Sequence, residues 1–349
     1  MKRRFSILIA AVALLAGHLA SPGRSAAAAN VVIAQPTETF IFMPVYIARG
    51  KGYFTDEGLD VEVVVAGGGA KAAAALIGGS AQFVAGAFAH VVKATAKGQR
   101  LVSVAGMMNQ IPTNIMFGTA AAKRLHITPD MPLDRKIMAM KGLRIGVTSR
   151  GSMTDLLVRY LADKQGMNPD EDITIVPLGD GQPFLSAVQR GAVDAIAQTS
   201  PNLETIAARG LGKIFINVTK GEVPDIRGFM FSSINTTRKY MEGHPDIVLK
   251  VVKAIYRAER FMAANPKGTL ETLRPFFPRT DASVLETSFD NMIPAFKSDP
   301  AILRSEFEKN LEFVNMENKI AGHKPVTVSY GDVVTNEFVE KAKRELGAK

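Results

Sequence analysis

The 349-residue chain contains no cysteine. That excludes a disulfide framework, a thiolate zinc site, a thiol nucleophile, an iron–sulfur cluster and a lipid-anchored N-terminal cysteine. Histidine is scarce: His18, His90, His126, His244 and His323 are scattered, with no H-x-x-x-H or H-E-x-x-H spacing, so no metal site is expected. There is no G-x-S-x-G nucleophile turn. The glycine run Gly67-Gly68-Gly69 lacks the Lys-Ser/Thr of a phosphate-binding loop. The formal charge is +9, but the basic residues form no block beyond the N-terminus. Catalysis, a metal and a resident cofactor are therefore not expected.

What is present is globular. Hydrophobic residues make up 47% and charged residues 21%, and the length suits about two domains. The N-terminus reads as an export signal: Lys2, Arg3 and Arg4 precede the apolar Phe5–Ala16, and Ser25–Asn30 offers small residues for cleavage near residue 29. The apolar run has 12 residues, short of the roughly 20 that span a bilayer. A periplasmic, unanchored mature protein is expected. Removing residues 1–29 takes away four basic residues and no acid, lowering the charge from +9 to +5. That disfavours nucleic acid as a partner. An exported protein also meets no ATP or NAD pool.

From Asn30 onward short strands alternate with helices. Val31–Ala34, Leu59–Val65, Gln82–Ala85 and Leu101–Met107 read as strands, with helices over Pro44–Gly52, Ala70–Ile77 and Ala87–Lys97 between them. The cycle restarts at Arg144–Val147, followed by Ser152–Gln165, Ile173–Pro177, Pro183–Arg190, Ala192–Ala197, Leu203–Arg209 and Ile214–Val218. Beyond Tyr240 the chain reads as helical, as in the amphipathic Pro245–Ala264, Pro300–Asn315 and Val333–Leu346. Lys71–Gly86 and Pro183–Gln198 echo each other, with Gly79 matching Gly191 at a helix end that wants left-handed backbone. This implies two α/β units with mostly parallel sheets, whose ligands bind beyond the carboxyl ends of the strands.

Four runs carry a family resemblance. Pro44-x-Tyr46-x-Ala48, continuing through Gly52-Tyr53-Phe54 to Glu57-Gly58-Leu59, is the first. The others are Ala75-Leu76-x-x-Gly79 before Gln82-Phe83, then Lys141–Val147, then Ala187-Val188-x-x-Gly191-x-Val193-Asp194-Ala195. Together they resemble the nitrate/sulfonate/taurine-type periplasmic solute-binding proteins of ABC importers, a group that includes thiamine-precursor binders. The resemblance implies a type II periplasmic binding fold: two α/β lobes joined by two crossing strands, with the helical C-terminal region on lobe one. Lobe one would be 30–117 plus 235–349 and lobe two 118–234, with crossings at Thr113–Gly118 and Gly228–Asn235. It also implies a monomeric receptor that closes on a small solute and delivers it to a membrane permease driven by a cytoplasmic ATPase. A ligand-sensing subunit of a signalling system is the alternative of another class. The family's eukaryotic pyrimidine-forming enzymes carry a cysteine-rich iron-associated segment that has no counterpart here.

By position, the resemblance places the cleft loops after the strands. Thr37, Phe40, Phe42, Gly68, Gly69, Phe88, Asn109 and Thr113 would contribute from lobe one and the first crossing. Ser149, Arg150, Ser152, Gln182, Gln198 and Thr199 would contribute from lobe two. The glycines before Ala70–Ile77 and the hydroxyls before Ser152–Gln165 could present helix N-termini to an anion. Arg150 could form a bidentate pair with a carboxylate or sulfonate. Phe40, Phe42, Phe88 and Phe184 could wall an organic moiety. The expected solute is a small organic sulfonate or carboxylate, with a thiamine-precursor pyrimidine as the alternative.

Overall fold

The computed structural model describes residues 28–179 and 181–347. Apart from its last two residues, the expected export signal lies outside the described residues. In the first unit the chain runs β1 (Ala29–Gln35), α1 (Met43–Gly50), α2 (Tyr53–Asp56), β2 (Leu59–Val65), α3 (Gly69–Ile77), β3 (Phe83–Ala87), α4 (Phe88–Ala96) and β4 (Leu101–Met108). The second unit runs β5 (Thr113–Gly118), α5 (Thr119–Arg124), α6 (Leu133–Met138), β6 (Arg144–Val147), α7 (Met153–Lys164), β7 (Thr174–Pro177), α8 (Gln182–Gln189), β8 (Ala195–Thr199), α9 (Asn202–Ala208) and β9 (Gly212–Ile216). The chain then returns through β10 (Ser232–Thr237). Seven α-helices follow among the described residues: α10 (Arg238–Gly243), α11 (Pro245–Ala264), α12 (Pro266–Leu273), α13 (Ala282–Met292), α14 (Arg304–Ile320), the short α15 (Tyr330–Val333) and α16 (Glu337–Glu345).

The strands form two five-stranded sheets with the same plan, β2-β1-β3-β10-β4 and β7-β6-β8-β5-β9. In each, three strands of one unit run parallel and a fourth position is filled by an antiparallel strand, β10 or β5. The echo between 71–86 and 183–198 is thus structural: β3 and β8 hold the same place in their sheets. Gly79 and Gly191 both adopt left-handed backbone, with φ of 79° and 65°.

The two crossings fall elsewhere than the sequence suggested. Thr113–Gly118 pairs with β8 and β9 along its length, so these residues lie in the second sheet. Ser232–Asn235 pairs with β3 and β4 in the first. The connections proper are 109–112 and 217–231. An extended apolar segment reads as a strand in the sequence, but its hydrogen-bonding neighbours decide which sheet it joins.

Each sheet is covered on both faces. One core gathers β1, β3 and β4 with α1, α11, α13 and α16, and another gathers β5, β6 and β8 with α7. A fully buried phenylalanine contributes about 2 kcal/mol, and Phe40, Phe83, Phe88, Phe117, Phe184 and Phe229 are all buried to that degree. The C-terminal helices pack largely on the first unit, with α14 reaching further. Its Phe307 meets Phe88 of the first unit, and its Phe313 packs tilted against Tyr160 and edge-to-face against Phe229 of the second core, with ring centroids 5.0 and 5.1 Å away. Among the described residues no helix is long and apolar enough to cross a membrane.

Candidate functional site

Topology brings the carboxyl edges of the two sheets together. Ser232 pairs with Ala87 and Met108, at the ends of β3 and β4. Thr113 pairs with Thr199, at the end of β8. Residues 109–112 join Met108 to Thr113, so the two edges lie within about 18 Å of each other at that point. The return from Ile216 to Ser232 links the same edges. Of the residues expected at the site, Thr113, Gln198 and Thr199 come together at the edge of the second sheet, with Gln198 and Thr113 buried.

Among the described residues nine buried side chains have a polar atom without a partner; four are Glu204, Glu259, Ser288 and Asn310, and the other five stand at these edges. They are Gln35 Oε1 at the end of β1, Thr39 Oγ1 just beyond it, Gln110 Oε1 in the first crossing, Asn114 Nδ2 on β5 and Ser232 Oγ at the start of β10. A buried polar group left unpaired costs about 1–3 kcal/mol, so a row of them at one edge fits a surface completed by a polar solute. The rest of each side chain is held in place. Gln35 Nε2 donates to the Tyr46 hydroxyl at 2.8 Å, and burial pushes that phenol well above its ordinary range, keeping it protonated. Asn114 Oδ1 accepts from the Thr219 backbone and hydroxyl, each at 3.0 Å. The loops expected after β1 and β4, Gln35–Met43 and Asn109–Thr113, contain Gln35, Thr39 and Gln110, but none of the five residues was an expected ligand contact. The available signal was an amide closing a short apolar strand, as in Ile33-Ala34-Gln35 and Ile196-Ala197-Gln198.

The helix starts expected to hold an anion are already engaged. Gly68 N–H donates to the Pro36 carbonyl at 2.9 Å. A Cβ on Gly69 would lie 2.0 Å from the His90 ring, so glycine is required there for close packing. Burial, then Lys93, holds that imidazole below its usual value, so it is neutral at pH 7. At α7, Gly151 N–H donates to the Asp155 carboxylate at 2.7 Å, and Thr148 N–H donates to Thr154 Oγ1 at 2.9 Å. Ser152 Oγ caps its own helix and donates to the Ser149 carbonyl at 2.7 Å. Asp155 therefore already supplies the negative charge at this N-terminus, and it is itself paired with buried Arg159. Ser149 and Arg150 are exposed, and Arg150 forms no ion pair among the described residues.

The aromatic residues expected as walls are core. Phe40 packs edge-on against Phe277 at 4.6 Å, Phe42 lies in the same cluster, Phe88 meets Phe307, and Phe184 is enclosed between α8 and β8. Each ring finds its partners in a buried core, which the sequence could not show. Asn109 is held from the side, donating to Glu306 at 2.9 Å. Thr37 is exposed beyond β1. Gln182, at the start of α8, lines a cavity of about 360 Å³ between α8–α9 and residues 279–284. Beside it, Glu204 of α9 accepts from Asn291 of α13 at 2.8 Å, a bond between the second unit and the C-terminal helices. Among the described residues no group of three or more His, Asp or Glu could hold a metal ion.

Residues 39–269 match a family model described as NMT1/THI5 like. The chain is 25% identical over 321 residues to YtlA of Bacillus subtilis, named as a binding protein, covering 90% of each chain. It is 24% identical over 262 residues to a 4-amino-5-hydroxymethyl-2-methylpyrimidine phosphate synthase of Candida albicans, covering 73% of each. Among solved structures, the periplasmic aliphatic sulphonate binding protein SsuA of Escherichia coli superposes with a TM-score of 0.68 at 16% identity, covering 85% of this chain and 95% of that one. That likeness is one of fold: two α/β lobes in the periplasmic binding protein arrangement.

Proposed function

The chain belongs to the NMT1/THI5-like family, and from that premise and the geometry of the facing sheet edges we propose that it is an extracytoplasmic solute receptor of an ABC importer. The lobes would divide at the two connections, 109–112 and 217–231. The solute is held between the carboxyl edges, and the closed form is presented to a membrane permease whose ATPase lies in the cytoplasm. The observation that carries this reading is the row of buried, unpartnered polar atoms on Gln35, Thr39, Gln110, Asn114 and Ser232. They stand where two lobes meet, and a bound molecule supplies the missing partners.

All five are neutral amides or hydroxyls. They suit a small polar organic molecule that both donates and accepts, such as a pyrimidine-like heterocycle. A small sulfonate or carboxylate is the second reading, favoured by the exposed and unpaired Arg150. It is weakened by Asp155, which already occupies the helix start beside that arginine. The fungal relatives named as synthases keep an enzymatic reading in the family. A receptor differs from an enzyme in a direct way, since it releases its solute chemically unchanged.

The test is a thermal-shift screen of the purified protein against hydroxymethylpyrimidine, taurine, methanesulfonate, benzoate and nitrate. A ligand present at 100 times its Kd adds about 2.7 kcal/mol of stability. The expected result is a shift with the pyrimidine that Asn114→Ala weakens at least about tenfold and Arg150→Ala leaves within about twofold. Mass spectrometry of the released ligand should find it unaltered. A shift with one anion that Arg150→Ala abolishes would replace the heterocycle with the second reading. Conversion of the ligand would overturn the receptor role.

A further inference from the structure

The cleft leaves unexplained a cavity of about 510 Å³ at the opposite end of the second sheet. Strand β5 starts at the cleft with Thr113 and reaches Phe117 about 13 Å further on. There Phe117 pairs with Ala195 at the start of β8 and with Lys213 of β9. The cavity floor is apolar: Phe117 and Phe215 are buried, their rings edge-to-face at 5.3 Å, with Ile127 beside them. Its rim is basic, formed by exposed Lys123, His126 and Lys213. None of the three forms an ion pair among the described residues. The nearby carboxylate of Asp194 is already held by Arg124 and Arg144, and Asp130, close in sequence, does not line the cavity.

The backbone adds a second, independent observation. His126 is the one non-glycine among the described residues with positive φ, at 51°. It stands two residues past the end of α5, where the chain turns left-handed. After α4, α7 and α9 the same step is taken by Gly98, Gly166 and Gly210. A side chain there carries a steric cost that glycine avoids, and such strain gathers at functional positions. The imidazole retained at that cost lines the cavity.

We propose that this cavity is a second binding site, for a small amphiphilic monoanion. The apolar body of the ligand lies on Phe117 and Phe215, and its carboxylate or sulfonate sits among Lys123, Lys213 and His126. The volume falls in the range of small-molecule sites. The apolar floor supplies the attraction, and the unpaired lysines select the charge. The site stands independently of what the cleft binds.

Octanoate is the probe, titrated calorimetrically into the full protein, with octan-1-ol as its uncharged counterpart. The expected result is one octanoate per chain, with the alcohol binding at least about tenfold more weakly. The double substitution Lys123→Gln/Lys213→Gln should cost a similar factor, and Arg150→Ala should change nothing. His126→Gly should weaken octanoate severalfold while raising the thermal midpoint of the unliganded protein, which separates loss of the site from loss of the fold. No octanoate binding, equal binding of the alcohol, or indifference to the lysine pair would overturn the proposal. So would dependence on Arg150, because that would place the probe in the cleft.

Discussion

Asp194 ties three segments together through one carboxylate. It accepts from Arg144 Nε at 3.0 Å, from the Arg144 backbone at 3.1 Å and from Arg124 at 3.1 Å. Burial alone would raise its pKa, but the hydrogen bonds from Arg144 and then Arg124 prevail and hold it at about 2. The folded value lies below the unfolded one of about 3.9. The resulting stability is therefore present above about pH 4 and is lost as the pH falls towards 2. With partial solvent screening the contribution is about 1–2 kcal/mol. Urea denaturation should show Asp194→Asn weaker by that amount at pH 7, with the difference vanishing near pH 2; a constant difference across that range would count against the carboxylate. The Val193-Asp194-Ala195 run was recognisable in the sequence as a family feature. That its aspartate pins Arg144, 50 residues earlier, followed only from the register of β6 beside β8.

At the scale of elements, α14 has the widest reach. It touches both cores through Phe307 and Phe313, and its Glu306 holds the first connection by accepting from Asn109. Glu306 also pairs with Lys297 at 2.6 Å, with side chains only 3% and 8% exposed. The neighbouring Glu259 is fully buried, and burial pushes its carboxyl well up despite Lys297, which makes it a poor substitute partner. Removing one member of a buried pair leaves an uncompensated charge at a cost of about 3–5 kcal/mol. Glu306→Ala should therefore destabilise by about that much, whereas Lys297→Met/Glu306→Leu should recover most of it. Equal losses in the single and double variants, measured by urea denaturation, would mean that packing of α14 rather than charge is responsible. The amphipathic pattern predicted a helix over Pro300–Asn315. The observed α14 begins later, because residues 300–303 instead lie against β4, where the Pro300 carbonyl accepts from Gly106.

For the whole molecule, the two connections, the Glu204–Asn291 bond and the packing of Phe313 of α14 on Tyr160 and Phe229 all limit relative motion. In the proposed receptor, a solute bridging the sheet edges would supply contacts that only a closed arrangement offers and so shift the population towards it. Small-angle X-ray scattering should show the radius of gyration falling when the cleft ligand is added, and Glu204→Ala should reduce the closed fraction at a fixed ligand occupancy. A bound ligand with no change in radius would mean that the lobes are fixed.

The sequence by itself determined the alternation of strand and helix, the doubling of the α/β unit and the family, because these depend on periodicity, glycine punctuation and local runs of residues. The general rule of such sheets also led to the expectation of a site beyond the carboxyl ends of the strands. Tertiary structure alone decided which residues stand there. Phe40, Phe42, Phe88 and Phe184 could have faced solute or core, and their packing partners, distant in the chain, made them core. Gly69 could have freed a backbone donor, and a histidine 21 residues away gave it another reason to be glycine. Gln35, Gln110, Asn114 and Ser232 are ordinary polar residues along the chain. They become a candidate site only because β5 and β10, the strands at which the chain passes from one unit to the other, run antiparallel to their sheet neighbours, which sets buried amides and hydroxyls from distant segments near the two edges.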